Sequence, residues 1–258
     1  MSIELTASPR IALVTGGSRG LGRSTAINLA RRDVDVVITY HTNRAEADST
    51  VAEIAALGRK AVALQLDGRD TSSFPGFAKA LRTALSDNWG RDRFDYLVNN
   101  AGTALYALIT ETTEAQMDEI YAIHFKGVFF LTQTLLPLLS DGGRIVNVSS
   151  GLARNTYPGS SVYGSMKAAI ETLTRYMAKE LGPRGITVNV VAPGAVATDF
   201  GGGRIRNSPE MQKMLVGVTT LGRVAVAEDI GPMIASLLDD ANHWVTAQRI
   251  EVSGGQGI

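Results

Sequence analysis

Apolar residues along this chain follow two alternating rhythms. Short runs at 11–15, 34–40, 61–66, 96–99, 144–149, 187–192 and 249–252 are apolar at most positions, as expected of strands covered on both faces. Between them, 21–32, 45–57, 73–85, 114–139, 162–181 and 227–238 carry apolar residues at helical spacing, the mark of helices with one buried face. Strand and helix in repeated alternation predict βαβ units. Seven strands then fit an α/β fold: one doubly wound, seven-stranded parallel sheet with helices on both faces. Gly58 and Gly182 stand where two of the helices should stop. The glycine-rich stretch 200–209 reads as a mobile loop. With no repeat or shift of composition to mark a boundary, 1–258 is expected to be a single domain carrying cofactor and substrate sites together.

Composition narrows the function classes. Hydrophobic residues make up 45% and charged residues 19%, enough apolar material for a large core and too little charge for a disordered chain. Twenty-five basic residues balance 25 acidic ones, so no general field favours nucleic acid or an anionic membrane, and a small-molecule partner is expected. The absence of cysteine removes disulfides, thiolate metal sites and cysteine nucleophiles. Residues 1–9 lack the basic-then-apolar order of an export leader, and no apolar run reaches bilayer length. A cytoplasmic location without membrane attachment is the expectation.

Candidate chemistry begins after the first strand, where Thr15-Gly16-Gly17-Ser18-Arg19-Gly20-Leu21-Gly22 leads into a helix. Glycines there let a pyrophosphate approach backbone N–H groups at a helix N-terminus, so a Rossmann-type dinucleotide site is expected. NAD-binding folds usually place a carboxylate about 20 residues further on, at the end of the second strand. Here that place holds His41, Asn43 and Arg44. With Arg19 opposite and no carboxylate to repel a 2′-phosphate, NADP(H) is the better electrostatic match.

Tyr163 and Lys167 are four residues apart, hence on one helix face. A lysine cation beside a phenol favours the phenolate, so the expected direction is a tyrosine pKa lowered toward neutrality, fit for acid/base work. Ser150 lies at the end of the fifth strand, where ligands bind in open α/β sheets.

Together with Asn99-Asn100-Ala101-Gly102 and Pro193-Gly194…Thr198, these motifs run in an order and spacing that resemble the short-chain dehydrogenase/reductase family over nearly the whole chain. The resemblance, closest in kind to 3-oxoacyl reductase-like members, implies hydride transfer between NADP(H) and a carbonyl or alcohol, with a 3-oxoacyl-type ketone as one substrate. It implies Tyr163 as proton donor or acceptor, Ser150 on the substrate oxygen and Lys167 on the nicotinamide ribose. It further implies contacts of Asp67 with adenine, Asn100 with the adenosine ribose region, and Val196 and Thr198 with the carboxamide. Gly16, Ser18, Gly20, Leu21, Gly22, Gly102, Pro193 and Gly194 complete the expected cofactor set, with no metal. Similar proteins are commonly tetramers, so a homotetramer joined through the long helices and the region around 244–255 is expected.

One position departs from the family's pattern: His124 stands where an asparagine is usual. A backbone carbonyl holding a water that leads to the lysine would survive this exchange; a role for the side chain itself would not. His124 is therefore also the residue that speaks for the alternative, a cofactor-binding regulatory protein with little turnover. Leu105, Tyr106, Leu152, Arg154, Thr156, Tyr157, Phe200, Met211 and Met214 are the candidates for a mostly apolar substrate pocket.

Overall fold

The computed structural model describes residues 9–258; the stretch 1–8, on which most of the leader reading rests, lies outside the described residues. Strands β1 (Ile11–Val14), β2 (Asp35–Tyr40), β3 (Ala61–Gln65), β4 (Phe94–Asn99), β5 (Leu139–Val148), β6 (Thr187–Pro193) and β7 (Arg249–Val252) form one sheet in the order β3-β2-β1-β4-β5-β6-β7. All six pairings are parallel, as the alternation with helices requires. β1 shows why the strands read as continuous apolar runs. Its even residues Ala12 and Val14 enter one core with Ile27, Leu29 and Ile234, while Ile11 and Leu13 enter a second with Phe74, Leu81, Leu135 and Met177.

The first core is roofed by α1 (Gly20–Ala30), α2 (Arg44–Ala56) and α8 (Ala227–Leu237), the second by α3 (Phe74–Trp89), α5 (Gly127–Leu135) and α6 (Ser161–Leu181). The strand order reverses between β1 and β4, and the ends of these two strands frame the crevice where such sheets bind ligands.

Three local readings change. The segment 114–139 is not one helix: α4 (Glu114–Tyr121) passes into a π turn, Ala122–Lys126, before α5. Pro137, lacking an N–H, follows the end of α5, and Leu139 already belongs to β5. The stretch 200–209 holds a tight 3-10 turn, Phe200–Gly203, and opens α7 (Pro209–Gly217). That helix was signalled by Ser208, whose hydroxyl caps Met211 N at 3.2 Å, with proline at the first helical position. Gly58 does close its helix in a left-handed conformation (φ +78°), whereas Gly182 stays right-handed and the left-handed turn falls on Gly185 (φ +69°).

Candidate active site

Thr15 anchors the glycine turn. Its hydroxyl donates to Val98 O (3.3 Å) and accepts from the backbone N–H groups of Asn100 (2.9 Å) and Ala101 (3.0 Å), tying β1 to β4 across the switch point. Gly16, at φ +64°, donates to the Thr39 hydroxyl at 3.0 Å, and Gly17 donates to Thr39 O at 2.9 Å. A Cβ on Gly22 would sit 2.1 Å from Gly16 O, so only glycine lets α1 begin this close to the turn. The first turn of α1 has no acidic residue, and Arg19 makes no side-chain cap. Its leading N–H groups are therefore presented to a ligand, which suits a pyrophosphate. Ser18 O accepts from Thr50 (3.2 Å), Leu21 packs on the first core, and Thr198 lies 3.8 Å from the Cβ position of Gly20.

Several expected cofactor residues have a structural partner as well. Asn100 donates its side-chain amide to Thr15 O (2.8 Å) and Gly16 O (3.3 Å), bracing the turn rather than pointing away from it. Asn43 caps α2 by accepting from Glu46 N at 3.2 Å, and Arg44 pairs with Asp48. Both oxygens of Asp67 are taken by Arg69, at 3.0 and 2.9 Å, with His41 Nε2 3.4 Å away. The Arg69 hydrogen bond holds the Asp67 carboxyl at about 2. Pro193 ends β6, Val196 bridges Ala225, and Gly194 leaves room that a Cβ would fill 2.7 Å from the Gln256 side chain.

At the reaction end, β5 delivers Ser149 and Ser150 while the first turns of α6 deliver Tyr163 and Lys167. Lys167 is only 5% exposed, donates to Val148 O at 2.8 Å, and has Nζ 5.5 Å from the centre of the Tyr163 ring. Burial drags its ammonium down to about 7. Burial pushes the Tyr163 phenol up, the nearby Tyr106 adds to this, and the Ser150 hydroxyl pulls the other way. The expected lowering of the tyrosine by lysine is thus not what the site does by itself. Desolvation dominates both groups.

His124 sits in the π turn with 1% exposure. Burial first, then the Lys167 charge, lower its pKa well below the usual value against a weaker opposing bond from Thr103, so the ring is neutral. Its Nε2 lies 2.7 Å from Thr103 O and 3.3 Å from Thr103 N. The shorter contact assigns the proton to Nε2, which leaves Nδ1 as an acceptor with no protein partner among the described residues. The ring stands edge-on to Tyr163, centroids 5.2 Å apart. It fits only because residue 102 is glycine, where a Cβ would lie 2.5 Å from His124 Cε1.

Aromatic groups surround the phenol. Phe200 lies 6.0 Å from the Tyr163 ring at 55°, Gly201 packs against Tyr106, and Arg204 stacks over Tyr106 at 4.4 Å. Met211 and Met214 lie on α7. Sequence reasoning missed Thr39, Arg69 and the pair Glu171–Arg249. Glu171 accepts from Ser149 (2.8 Å) and from Arg249 (2.6 Å), a bond between distant segments that no local spacing betrays. Among the described residues no cluster of His, Asp and Glu could hold a metal.

Residues 16–256 match the family model described as Enoyl-(Acyl carrier protein) reductase. A hydroxynaphthalene reductase-like protein, Arp2, of Metarhizium majus is 36% identical over 257 residues, covering 95% of this chain and 94% of that protein. Among solved structures, the promiscuous reductase LugOII, which catalyses keto-reduction at C1 in lugdunomycin biosynthesis, superposes with a TM-score of 0.91 at 37% identity, covering 96% of this chain and 98% of that one. The angucycline C-6 ketoreductase LanV with bound NADP gives 0.90 at 34% identity, with 95% of each chain covered.

Proposed function

Because this chain belongs to the short-chain dehydrogenase/reductase family and is an oxidoreductase, we propose that it uses NADP(H) to reduce a ketone set in a fused aromatic ring system. One aromatic cluster carries the reading: Phe200 tilted over Tyr163, with Tyr106 and His124 around the same phenol. Flat ring faces gain from offset and edge-on packing of this kind. The names of the similar reductases point the same way, to naphthalene and angucycline ketones. The same chemistry serves a 3-oxoacyl thioester, but the aromatic lining favours a ring ketone.

Gly16, Gly20 and Gly22, with the N-terminus of α1, hold the pyrophosphate in this reading, and Arg19 and His41 face the 2′-phosphate. The cofactor supplies the hydride. Tyr163 supplies the proton to the carbonyl oxygen. Ser150 orients the oxygen by hydrogen bonding. Lys167, held by Val148 O, sits behind the phenol to return the proton. The intact trio outweighs a purely regulatory role.

We also infer one domain spanning 1–258, a cytoplasmic location and a homotetramer. Met117, Tyr121, Phe129, Phe130 and Tyr176 are exposed on α4, α5 and α6, and Trp244 is 91% exposed beside β7, apolar surface suited to subunit contacts. No helix among the described residues is long and apolar enough to cross a membrane.

The test follows NADPH absorbance against a panel of bicyclic and polycyclic ring ketones alongside 3-oxoacyl thioesters, with light scattering for assembly. Turnover of ring ketones is expected, with Tyr163→Phe keeping NADPH binding and losing roughly a hundred- to ten-thousandfold in rate. A fully active phenylalanine variant would refute the proton role.

A further inference from the structure

We infer that Arg69 sets the cofactor preference by cancelling the charge of Asp67 at the adenosine end, a conclusion that rests on the NADP(H) reading. The NADP(H) preference drawn from the end of β2 is incomplete, because a second strand end lies beside it. Leu66 N bonds Tyr40 O at 2.9 Å, so the residues that follow, His41 and Asp67, leave the sheet side by side. β2 lies next to β1 and its glycine turn. A carboxylate at Asp67 therefore faces the same end of the crevice as His41, and an uncompensated negative charge there would repel the 2′-phosphate.

Arg69 removes that charge. Its Nε and Nη2 grip the two oxygens of Asp67 at 3.0 and 2.9 Å, a fork-on-carboxylate pair. The backbone N–H of Arg69 adds a third bond to Asp67 at 3.0 Å. The guanidinium also reaches Glu119 on α4 at 3.3 Å and lies 3.4 Å from His41 Nε2. Asp67 and Glu119 are thus the carboxylates paired with Arg69; its single charge leaves the trio one net negative, and the two-pronged grip concentrates the compensation on Asp67. Asp67 stays ionised at any working pH, so the compensation is permanent rather than a protonation event. The loop backbone is pinned from behind, since Gly68 packs against the π turn and α5 through Gly127.

The experiment measures Kd for NADPH and NADH on the purified full chain by protein fluorescence quenching, with no turnover needed. The variants are Arg69→Ala, Arg69→Lys, and the double variant Asp67→Asn with Arg69→Ala; melting temperatures check that each is folded. Losing one positive charge opposite a phosphate dianion in a half-exposed pocket should weaken NADPH about tenfold, with NADH changed by no more than about twofold. Arg69→Lys should keep most of the preference. The double variant, which removes one charge of each sign, should regain it.

An unchanged NADPH affinity in Arg69→Ala would overturn the inference, and so would an equal loss for both cofactors. So too would a loss that persists in the double variant, because the guanidinium would then be touching the phosphate itself. A parent protein that binds NADH as tightly as NADPH defeats the cofactor reading before any variant is made, and the inference with it.

Discussion

A lysine buried to 5% exposure beside a phenol is costly to fold, and the cost is measurable. In water its ammonium titrates near 10.5; in the folded protein burial brings it to about 7. At about 1.4 kcal/mol per decade of binding constant, folding near or below neutrality forfeits about 4 to 5 kcal/mol relative to a lysine left in solvent. The unfolded chain binds more protons than the folded one between pH 7 and 10.5, so stability rises with pH through that window. The penalty is full below about pH 7 and gone above the unfolded value. Lys167→Met keeps the stem and removes the titration, at the expense of leaving Val148 O without its 2.8 Å donor, about 1 to 3 kcal/mol. The decisive quantity is the change with pH in the difference between parent and variant, in which that constant loss cancels. The difference should move by about 3 to 4 kcal/mol in the parent's favour between pH 7 and pH 10. Urea unfolding of both proteins at a series of pH values, read by fluorescence of Trp89 and Trp244, measures it. Parallel stability curves for the two would refute the reasoning, because they would show that Lys167 keeps its solution pKa in the fold.

Two further outcomes follow from the glycines. Gly22→Ala places a Cβ 2.1 Å from Gly16 O, so the turn must open; cofactor affinity should fall at least a hundredfold, roughly 3 kcal/mol, with retained affinity by calorimetry counting against the pyrophosphate site. Gly102→Ala displaces the imidazole, its Cβ lying 2.5 Å from His124 Cε1, and should lower kcat, measured at saturating NADPH, by about ten- to hundredfold. If His124→Asn restores the rate in the Gly102→Ala background, the ring acts by its position; a further loss would show that the imidazole takes part directly.

The sheet was legible because both-face burial writes strands as apolar runs, and β1, whose residues feed two separate cores, is the clearest instance. Helix α7 and the break at Ala122–Lys126 were not, for different reasons. The first hid among glycines although Ser208 and Pro209 announced it. The second lies beside a close approach between Gly127 and Gly68, far apart in sequence, which no local pattern signals. Of the site, Ser150, Tyr163 and Lys167 could be found by spacing. The direction of the tyrosine pKa could not, because it is set by how far the assembled fold keeps water from the phenol. Arg69 escaped notice for a similar reason: Asp67-Gly68-Arg69-Asp70, just after β3, looks like a solvated turn until the neighbouring strand end is in place.

The contact between Gly68 and Gly127 works as a gauge block. A Cβ at residue 127 would stand 2.0 Å from Gly68 O and 2.8 Å from Ala122 O, so the backbones meet with nothing between them. On one side of that junction lies the loop bearing Asp67 and Arg69; on the other, the π turn bearing His124. The separation between the Asp67–Arg69 pair and His124 is thereby a fixed length of the scaffold, calibrated by the side chain missing at residue 127 rather than by any group at either end.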